Sequence, residues 1–312
     1  MFRRSSSSSS SEDEYVVYRR RKVYRERKDC LTSYDEKEFF YRFRSTKNTV
    51  LGGCIQPLQQ LLLTLRYYAS GNMQIDVADF MGVSKASACR IIRRISTAIV
   101  FLSPRYISMY DNNMDMERAA EKFYGMARFP RVIGAIDCTL IKIDSPGGDD
   151  AGIFKSRKGF FALNVQTVSD AKLKIRDIVA RWPGATHDQT IFNNSNLKRK
   201  FEAGNFGKYI LVGDSGYSLQ TTRNVVEREY GVWKRRFPVL WVGMRQNVEH
   251  VMEIIIATAV LHNSAIDMND LYPEEELENV EDHQEKGGNE ENVINNARQY
   301  RQLLTNEHFA RL

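Results

Sequence analysis

The stretch VIGAIDCTLIKI at residues 132–143 decides which fold is expected of this chain. Its first half, VIGAID, is an apolar run of the kind found in buried strands, and TLIKID is expected to continue that strand or to pair with it. Asp137 lies at the centre of the stretch. Burying a carboxylate there is costly unless something compensates its charge, so the residue is a candidate for chemistry.

Three further acids follow apolar runs or begin a helix. Asp188 follows WPGATH, Asp214 ends KYILVGD, and Glu227 lies in NVVEREYGVWKRRF. Hard cations prefer oxygen ligands, so converging carboxylates are what a phosphodiester-cleaving centre with Mg²⁺ or Mn²⁺ needs. We expect Asp137 to bridge two cations, Asp214 to be its partner on a neighbouring strand end, and Glu227 to complete the second cation site.

These acids also have structural alternatives. Asp188 is either a further metal ligand or an acid in the first turn of a helix, where the helix dipole favours it. Asp137 and Asp214 are alternatively strand-end residues that cap turns. His187 is a candidate for orienting a water or contacting phosphate, and a solvated turn histidine is the alternative. His262 lies in an apolar helix pattern and is expected in the core.

The residues between Val132 and Leu240 alternate between strand and helix patterns. FALNVQTVSD and KLKIRDIVARWPG are expected to be antiparallel neighbours, and YILVGD another central strand. NVVEREYGVWKRRF predicts an amphipathic helix with Glu227 at the edge of its apolar stripe and Lys234 on its surface. The stripe comprises Val226, Tyr230, Trp233 and Phe237. This alternation favours an α/β fold, a mixed sheet with flanking helices.

Residues 74–98, QIDVADFMGVSKASACRIIRRISTA, match a helix-turn-helix pattern. Ala78 is small where the helices would cross, Gly82 permits the turn, and Ser84 can cap the second helix. A helical hairpin that only packs is the alternative. The side chains expected to face a DNA groove or phosphates are Lys85, Ser87, Arg90 and Arg94.

Charge and composition favour a polyanionic partner. The net charge is +6 and the pI is about 9.0, whereas residues 274–312 carry four basic and ten acidic residues. A basic body suits nucleic acid, although many solvated surfaces are basic without that role. Further candidates for phosphate contacts are Lys155, Arg157 and Lys158, on a loop before a strand, and Arg228 on the amphipathic helix.

Several function classes are disfavoured. The four cysteines are scattered, without zinc-ligand spacing, which argues against a disulfide framework and suits a reducing compartment. No apolar run reaches about 18 residues and no cleavable signal opens the sequence, so a soluble intracellular protein is expected. The sequence has no phosphate-binding loop, no G-x-S-x-G elbow and no H-E-x-x-H helix.

Four regions are predicted along the chain. Residues 1–30 form a disordered serine-rich and basic tail, and residues 31–128 a helical region with the helix-turn-helix-like motif. Residues 129–268 form the domain that carries the acids. Residues 269–312 form an acidic linker with a terminal helix.

Five motifs, taken in order, resemble the nuclease domain of the Harbinger transposase-derived nucleases, in the PIF/Harbinger superfamily of DDE transposases. They are GAIDCTLIKI, KSRKGFFALNVQTVSD, WPGATHDQTIF, LVGDSGYSLQ and NVVEREYGVWKRRFPVL. The segments YYASGNMQIDVADFMGVSKASACRII and FYGMARFPRVIGAID resemble the helical N-terminal part of that family. The likeness therefore extends from about residue 34 to about residue 265.

The resemblance implies a ribonuclease-H-like fold that uses a divalent cation, Mg²⁺ or Mn²⁺. Asp137, Asp214 and Glu227 would form the acidic triad, and Asp188 would be an additional metal-associated acid. The resemblance also implies DNA as the substrate, a separate Myb-like partner protein for DNA binding, and residence in the nucleus and cytoplasm.

The chain departs from the family pattern between Asp214 and Glu227. Only 12 residues separate them, with the shortening between residues 220 and 223, where the family has a longer interval that carries a loop and a strand. The interval LGGCIQ near residue 54 is also short. Twelve extended residues can span about 40 Å, so the helix can still reach its place. Two functions stay open: a metal-dependent nuclease, and a DNA-binding or protein-interaction derivative without activity.

Overall fold

The computed structural model of the protein describes residues 55–213 and 220–270. Several predictions fall outside these residues: the serine-rich and basic tail, the first part of the helical region 31–128, Asp214 itself, and the acidic linker with its terminal helix.

The described chain begins with a group of helices. They are α1 (Pro57–Ser70), α2 (Gln74–Phe80), α3 (Lys85–Val100), the short α4 (Ser103–Tyr106) and α5 (Asn113–Ala127). The helix pair predicted over residues 74–98 is present as α2 and α3. Gly82 makes the turn at φ 63°, a left-handed conformation that favours glycine, and Ser84 Oγ accepts from the Ser87 N–H at 3.2 Å. Ala78 is buried where the helices meet.

A mixed four-stranded sheet follows, in the order β3-β2-β1-β4. Its strands are β1 (Val132–Lys142), β2 (Ala162–Ser169), β3 (Ile175–Pro183) and β4 (Ile210–Val212). β2 is antiparallel to both β1 and β3, whereas β4 is parallel to β1. Asp170 makes the β2–β3 turn, because its Oδ1 accepts from the N–H groups of Lys172 and Lys174 at 2.7 and 3.1 Å. The predicted α/β fold with a ribonuclease-H-like mixed sheet is confirmed.

The placement of β4 differs from the prediction. YILVGD was expected to be a central strand, yet β4 has three residues and lies at the edge of the sheet, with β1 as its hydrogen-bonded neighbour. Among the described residues no further strand pairs with its outer side. An apolar run shows that a strand is buried, but its position in a sheet depends on which other strands exist to pair with it.

Helices flank the sheet on both faces. They are a 3₁₀ helix (Asp149–Phe154), α6 (Asp188–Asn193), α7 (Asn196–Glu202), α8 (Gln220–Arg236), α9 (Val239–Val242) and α10 (Val248–Asp267). The predicted apolar stripe of α8 is confirmed, since its four residues are buried. No helix in the described ranges is long and apolar enough to cross a membrane.

Helix α10 connects the helical group to the sheet, because it packs against both α3 and β3. Its buried Asn263 side chain accepts from the Ile175 N–H at 2.8 Å and donates to the carbonyls of Ile175 and Tyr106. The neighbouring His262 is buried as predicted, and its Nε2 is 2.8 Å from the Leu173 carbonyl. Side chains of α10 thus satisfy backbone groups at the start of β3, as a neighbouring strand otherwise would.

We predict that Asn263→Ala lowers the free energy of unfolding by about 2–4 kcal/mol, because it leaves buried backbone groups of Ile175 without partners. Urea denaturation measures the loss. Asn194→Ala is the matched control, since this exposed side chain donates to one carbonyl, that of Thr190, at 2.8 Å. The control should change stability by no more than about 0.5 kcal/mol. Equal losses in the two variants would contradict the assignment.

Candidate active site

Asp137 lies in the middle of β1, half-buried, and faces helix α8. Its register partner across the sheet is Thr167 of β2. Alternate residues of a strand share a face, so Asp137 lies on the same side as Thr139 and as Ser169 of β2. The Asp137 Oδ1 accepts from the N–H of Cys138 at 2.7 Å. The acid that the sequence placed centrally is therefore on the sheet face covered by α8.

Helix α8 is fixed to this face by polar contacts. The Tyr230 hydroxyl donates to the backbone carbonyl of Asp137 at 2.7 Å, and Lys234 Nζ donates to Thr139 Oγ1 at 2.6 Å. The prediction that Lys234 lies on the helix surface is wrong, because the side chain is half-buried. Residues four apart on a helix share a face, so Lys234 follows Tyr230 toward the sheet.

Glu229 is the acid of α8 that the structure places inside. The residue is fully buried, and its Oε2 accepts from Ser169 Oγ at 2.7 Å and Thr167 Oγ1 at 3.0 Å. Its Oε1 has no hydrogen-bond partner. Burial raises the pKa of Glu229 to about 8, and the charge of Asp137 acts in the same direction, whereas Ser169 and Thr167 lower it. At neutral pH most of the Glu229 carboxyl is therefore protonated.

Glu227 has a different environment from the one its motif suggested. It is exposed on α8, two residues before Glu229. Its role as the third acid stays a prediction. The helical period could have indicated Glu229, because positions 226, 229, 230 and 233 follow the i, i+3, i+4, i+7 pattern of one buried face.

Asp188 begins helix α6, as its sequence position predicted. Its Oδ1 accepts from Asn164 Nδ2 at 2.8 Å, and the same amide donates to the Thr186 carbonyl at 2.9 Å. Burial, followed by the charges of Asp188 and Asp137, raises the pKa of the Cys138 thiol. Cys138 is adjacent to Asp137 on β1 and points to the opposite face, so Asp188 lies on that side of the sheet.

The predicted phosphate-contact residues are at the surface. Lys155, Arg157 and Lys158 are exposed, and the Arg157 guanidinium contacts the imidazole of His187, next to Asp188. The other candidates, on α3 and α8, are likewise exposed: Lys85, Arg90, Arg94 and Arg228. Arg94 also donates to Gln60 of α1, so part of its hydrogen-bonding capacity is already used.

The donor chemistry around Asp137 suits a hard cation, but the described residues do not complete a site. Asp137 and the unpartnered Oε1 of Glu229 supply carboxylate oxygens on one sheet face, the ligand type that Mg²⁺ and Mn²⁺ prefer. Within residues 55–213 and 220–270 no three His, Cys, Asp or Glu residues form a group that could hold a metal ion. Asp214, the expected partner, is not among these residues.

Comparison with known proteins finds similar domains and similar whole proteins. Residues 136–222 match the model of the DDE superfamily endonuclease domain. "Putative nuclease HARBI1" of Bos taurus is 28% identical over 265 residues, which cover 73% of this chain and 76% of that protein. The chain is similar to the Harbinger-derived nucleases over most of its length. The human HARBI1 protein matches with the same identity and coverage. "Protein ALP1-like" of Arabidopsis thaliana is 22% identical over 254 residues, which cover 68% of this chain and 61% of that protein. No solved structure matches.

The HARBI1 alignment agrees with an internal loss in this chain. The alignment is 265 positions long, whereas 73% of the 312 residues of this chain is about 228 residues. Roughly 37 positions of the alignment are therefore gaps in this chain. The match to the DDE endonuclease model ends at residue 222, before Glu227. Neither observation gives the position of the missing residues, so the shortening between Asp214 and Glu227 stays a prediction.

We predict that Glu229 makes the fold less stable as pH rises. An unfolded carboxyl loses its proton near pH 4.5, whereas Glu229 in the fold keeps it to about pH 8. Between these values the folded state binds more protons, so the free energy of unfolding falls by up to about 1.4 kcal/mol per pH unit. Glu229→Gln does not ionise. Its urea midpoint should therefore change less than that of the wild type between pH 5 and pH 8 in metal-free buffer.

The matched control is Glu227→Gln, which changes an exposed acid on the same helix. This variant should keep the wild-type pH dependence. Parallel pH profiles for the wild type and Glu229→Gln would show that the buried carboxyl does not govern this slope.

Proposed function

We propose that this protein is a divalent-metal-dependent endonuclease that acts on DNA, with Asp137 at the centre of its site. The observation that carries the proposal is the placement of Asp137 at the middle of β1, opposite an acid-bearing helix, in a chain that matches the DDE endonuclease domain. The similar HARBI1 proteins are named as nucleases, which supports the same reaction class.

The residues that would hold Mg²⁺ or Mn²⁺ are Asp137, Asp214 and one glutamate of α8. Asp188 lies on the other side of the sheet and would not contact the same ion. When bound, such a cation activates water and stabilises the charge that develops at a phosphodiester. The protein's own groups then have positional tasks. Tyr230 fixes α8 to the backbone of Asp137, and Lys234 adds a positive charge beside Thr139, which suits a DNA phosphate.

Only one of the two glutamates can face Asp137 in a given orientation of α8. Successive residues of an α-helix are about 100° apart around the axis, so Glu227 and Glu229 point about 200° apart. Family resemblance favours Glu227 as the ligand, whereas the structure turns Glu229 toward the sheet. The pair therefore provides matched variants on a single helix.

We predict that wild-type protein nicks supercoiled plasmid with Mg²⁺ or Mn²⁺, and that Asp137→Asn slows nicking at least about a hundredfold, the cost of losing one group that stabilises a transition state. Circular dichroism checks that the variant is folded. If Glu227 is the ligand, Glu227→Gln abolishes nicking and Glu229→Gln does not; if Glu229 is the ligand, the result is reversed. Wild-type protein that cleaves no DNA substrate with either metal would remove the proposal.

The second candidate function is DNA or protein binding without cleavage. It is favoured by the hydrogen bonds that already satisfy Glu229 Oε2 inside the fold, together with the exposure of Glu227. The roughly 37 missing positions favour it as well. DNA binding that is indifferent both to chelator and to Asp137→Asn, with no nicking, selects this function.

The nuclease and the DNA-binding derivative would both use the surface of α3 for DNA. We predict that replacing Lys85 and Arg90 by alanine weakens duplex binding and makes the plot of log K against log salt concentration less steep by about two, because two fewer DNA phosphates are neutralised. Fluorescence anisotropy at several salt concentrations measures the slope. Arg118→Ala is the control, since this exposed residue lies on α5 and pairs with Asp115. An equal change of slope in the control would show that any surface charge contributes.

A Myb-like partner protein and residence in the nucleus and cytoplasm belong to the same proposal, and the family resemblance supports them. Co-precipitation of the full chain with a Myb-like protein, followed by imaging with and without that protein, would test both statements.

A further inference from the structure

Three side chains form a ladder at the C-terminal end of β1: Phe160, Lys142 and Trp241. The Lys142 ammonium lies 5.0 Å from the centre of the Phe160 ring and 5.3 Å from that of the Trp241 ring. Trp241 is 59% exposed, whereas Trp233 of α8 is fully buried. An indole left in solvent beside a lysine is a feature that neither the core nor the acid site uses.

The backbone around this aromatic ladder is fixed. The Ile143 N–H donates to the Phe161 carbonyl at 3.0 Å, and the segments at Lys142–Asp144 and Met244 exchange hydrogen bonds of 2.9 and 3.1 Å. Helix α9, which carries Trp241, packs closely against the end of α1, since a Cβ added to Gly71 would lie 2.9 Å from Val242. The ladder is therefore a preformed surface on tied segments of backbone.

The charges near the aromatic ladder suit a phosphate backbone. Lys142 is part of it, and Arg245, whose side chain is 63% exposed, follows α9. Lys155, Arg157 and Lys158 are exposed on the segment that leads to Phe160. Asp144 lies 3.5 Å from Arg245 and offsets one of these charges.

We propose that the aromatic ladder binds an unpaired base of a DNA strand, with the base stacked on Trp241 and the adjoining phosphates on Lys142 and Arg245. Aromatic rings beside cations are the usual platform for single strands, because every base offers a ring face. A duplex keeps its base faces covered, so the ligand is a single strand or a flipped-out nucleotide.

Asp137 and Lys142 belong to the same strand but to opposite faces of the sheet. They are five positions apart on β1, about 17 Å at the rise of a β-strand, and only alternate side chains share a face. A nucleotide bound at the ladder therefore lies outside the acid site. This inference deepens the proposed function and rests on it for the choice of DNA as the ligand.

The experiment uses the full chain with Asp137→Asn in chelator, so that cleavage is absent and only binding is measured. The probes are a short thymidine oligonucleotide and a fully paired, blunt-ended duplex of equal length. We expect Trp241→Ala to weaken binding of the thymidine oligonucleotide about tenfold and binding of the duplex less than twofold. Trp241→Phe should restore most of the affinity. The single strand should also quench tryptophan emission, and the quenching should be lost in Trp241→Ala.

Tyr124→Ala is the matched control, because Tyr124 is a 37% exposed aromatic with Arg128 at 5.7 Å, on helix α5. It should leave the affinity for both probes unchanged. Equal weakening in the two alanine variants, or unchanged single-strand binding in Trp241→Ala, would overturn the proposal. A Trp241→Ala variant that binds the oligonucleotide normally but loses a protein partner or self-association would show that the ladder is a protein contact.

The measurement also separates this inference from the nuclease proposal. If the wild-type protein binds single strands through Trp241 but never nicks DNA, the nuclease proposal is wrong and the proposed role of the aromatic ladder stands. If the wild type nicks DNA and Trp241→Ala binds single strands as well as the wild type does, the proposed role of the ladder is wrong and the nuclease proposal stands.

Discussion

The attachment of helix α8 to the centre of β1 is the constraint on which the site depends. Glu229 is fully buried. Burial of this carboxyl is tolerable because the group is largely neutral and accepts hydrogen bonds from two hydroxyl groups of β2. Tyr230 adds a bond to the Asp137 carbonyl from the next position of the helix. In a low-dielectric interior such bonds are strong and costly to leave unmade, so they set the rotation of α8 about its axis.

That rotation decides which acid faces Asp137. Turning α8 by about 200° to bring Glu227 inward would withdraw Glu229 and Tyr230 from Thr167 and Ser169. It would leave these buried hydroxyls without partners, at about 1–3 kcal/mol for each unsatisfied group. It would also expose Trp233, which is fully buried in this orientation. The packing that stabilises the fold therefore keeps Glu229 inside, whereas the motif resemblance implies an orientation of α8 with Glu227 inside.

Local pattern predicted the elements whose formation depends on neighbouring residues in sequence. The β2–β3 pair, the α2–α3 turn at Gly82 and the buried stripe of α8 all follow from period and turn chemistry. The edge position of β4 could not be predicted in that way, because strand order is set by long-range pairing. Lys234 was assigned to the surface by its charge, yet a long side chain can bury its stem and reach a hydroxyl. On α8 the helical period indicates Glu229 as the buried acid, whereas the motif resemblance indicates Glu227.

The surfaces suited to DNA do not share the constraint that acts on the acids. Lys85 and Arg90 project from α3, and the aromatic ladder lies at the end of β1, so neither depends on the rotation of α8. Phosphate contacts act over several ångströms and tolerate small displacements, whereas metal-assisted cleavage needs its carboxylates in a defined arrangement around the cation. A shortened connection between residues 214 and 227 therefore threatens cleavage far more than recognition. Under the proposed function, hydrolysis of DNA can therefore be lost while binding of DNA is kept.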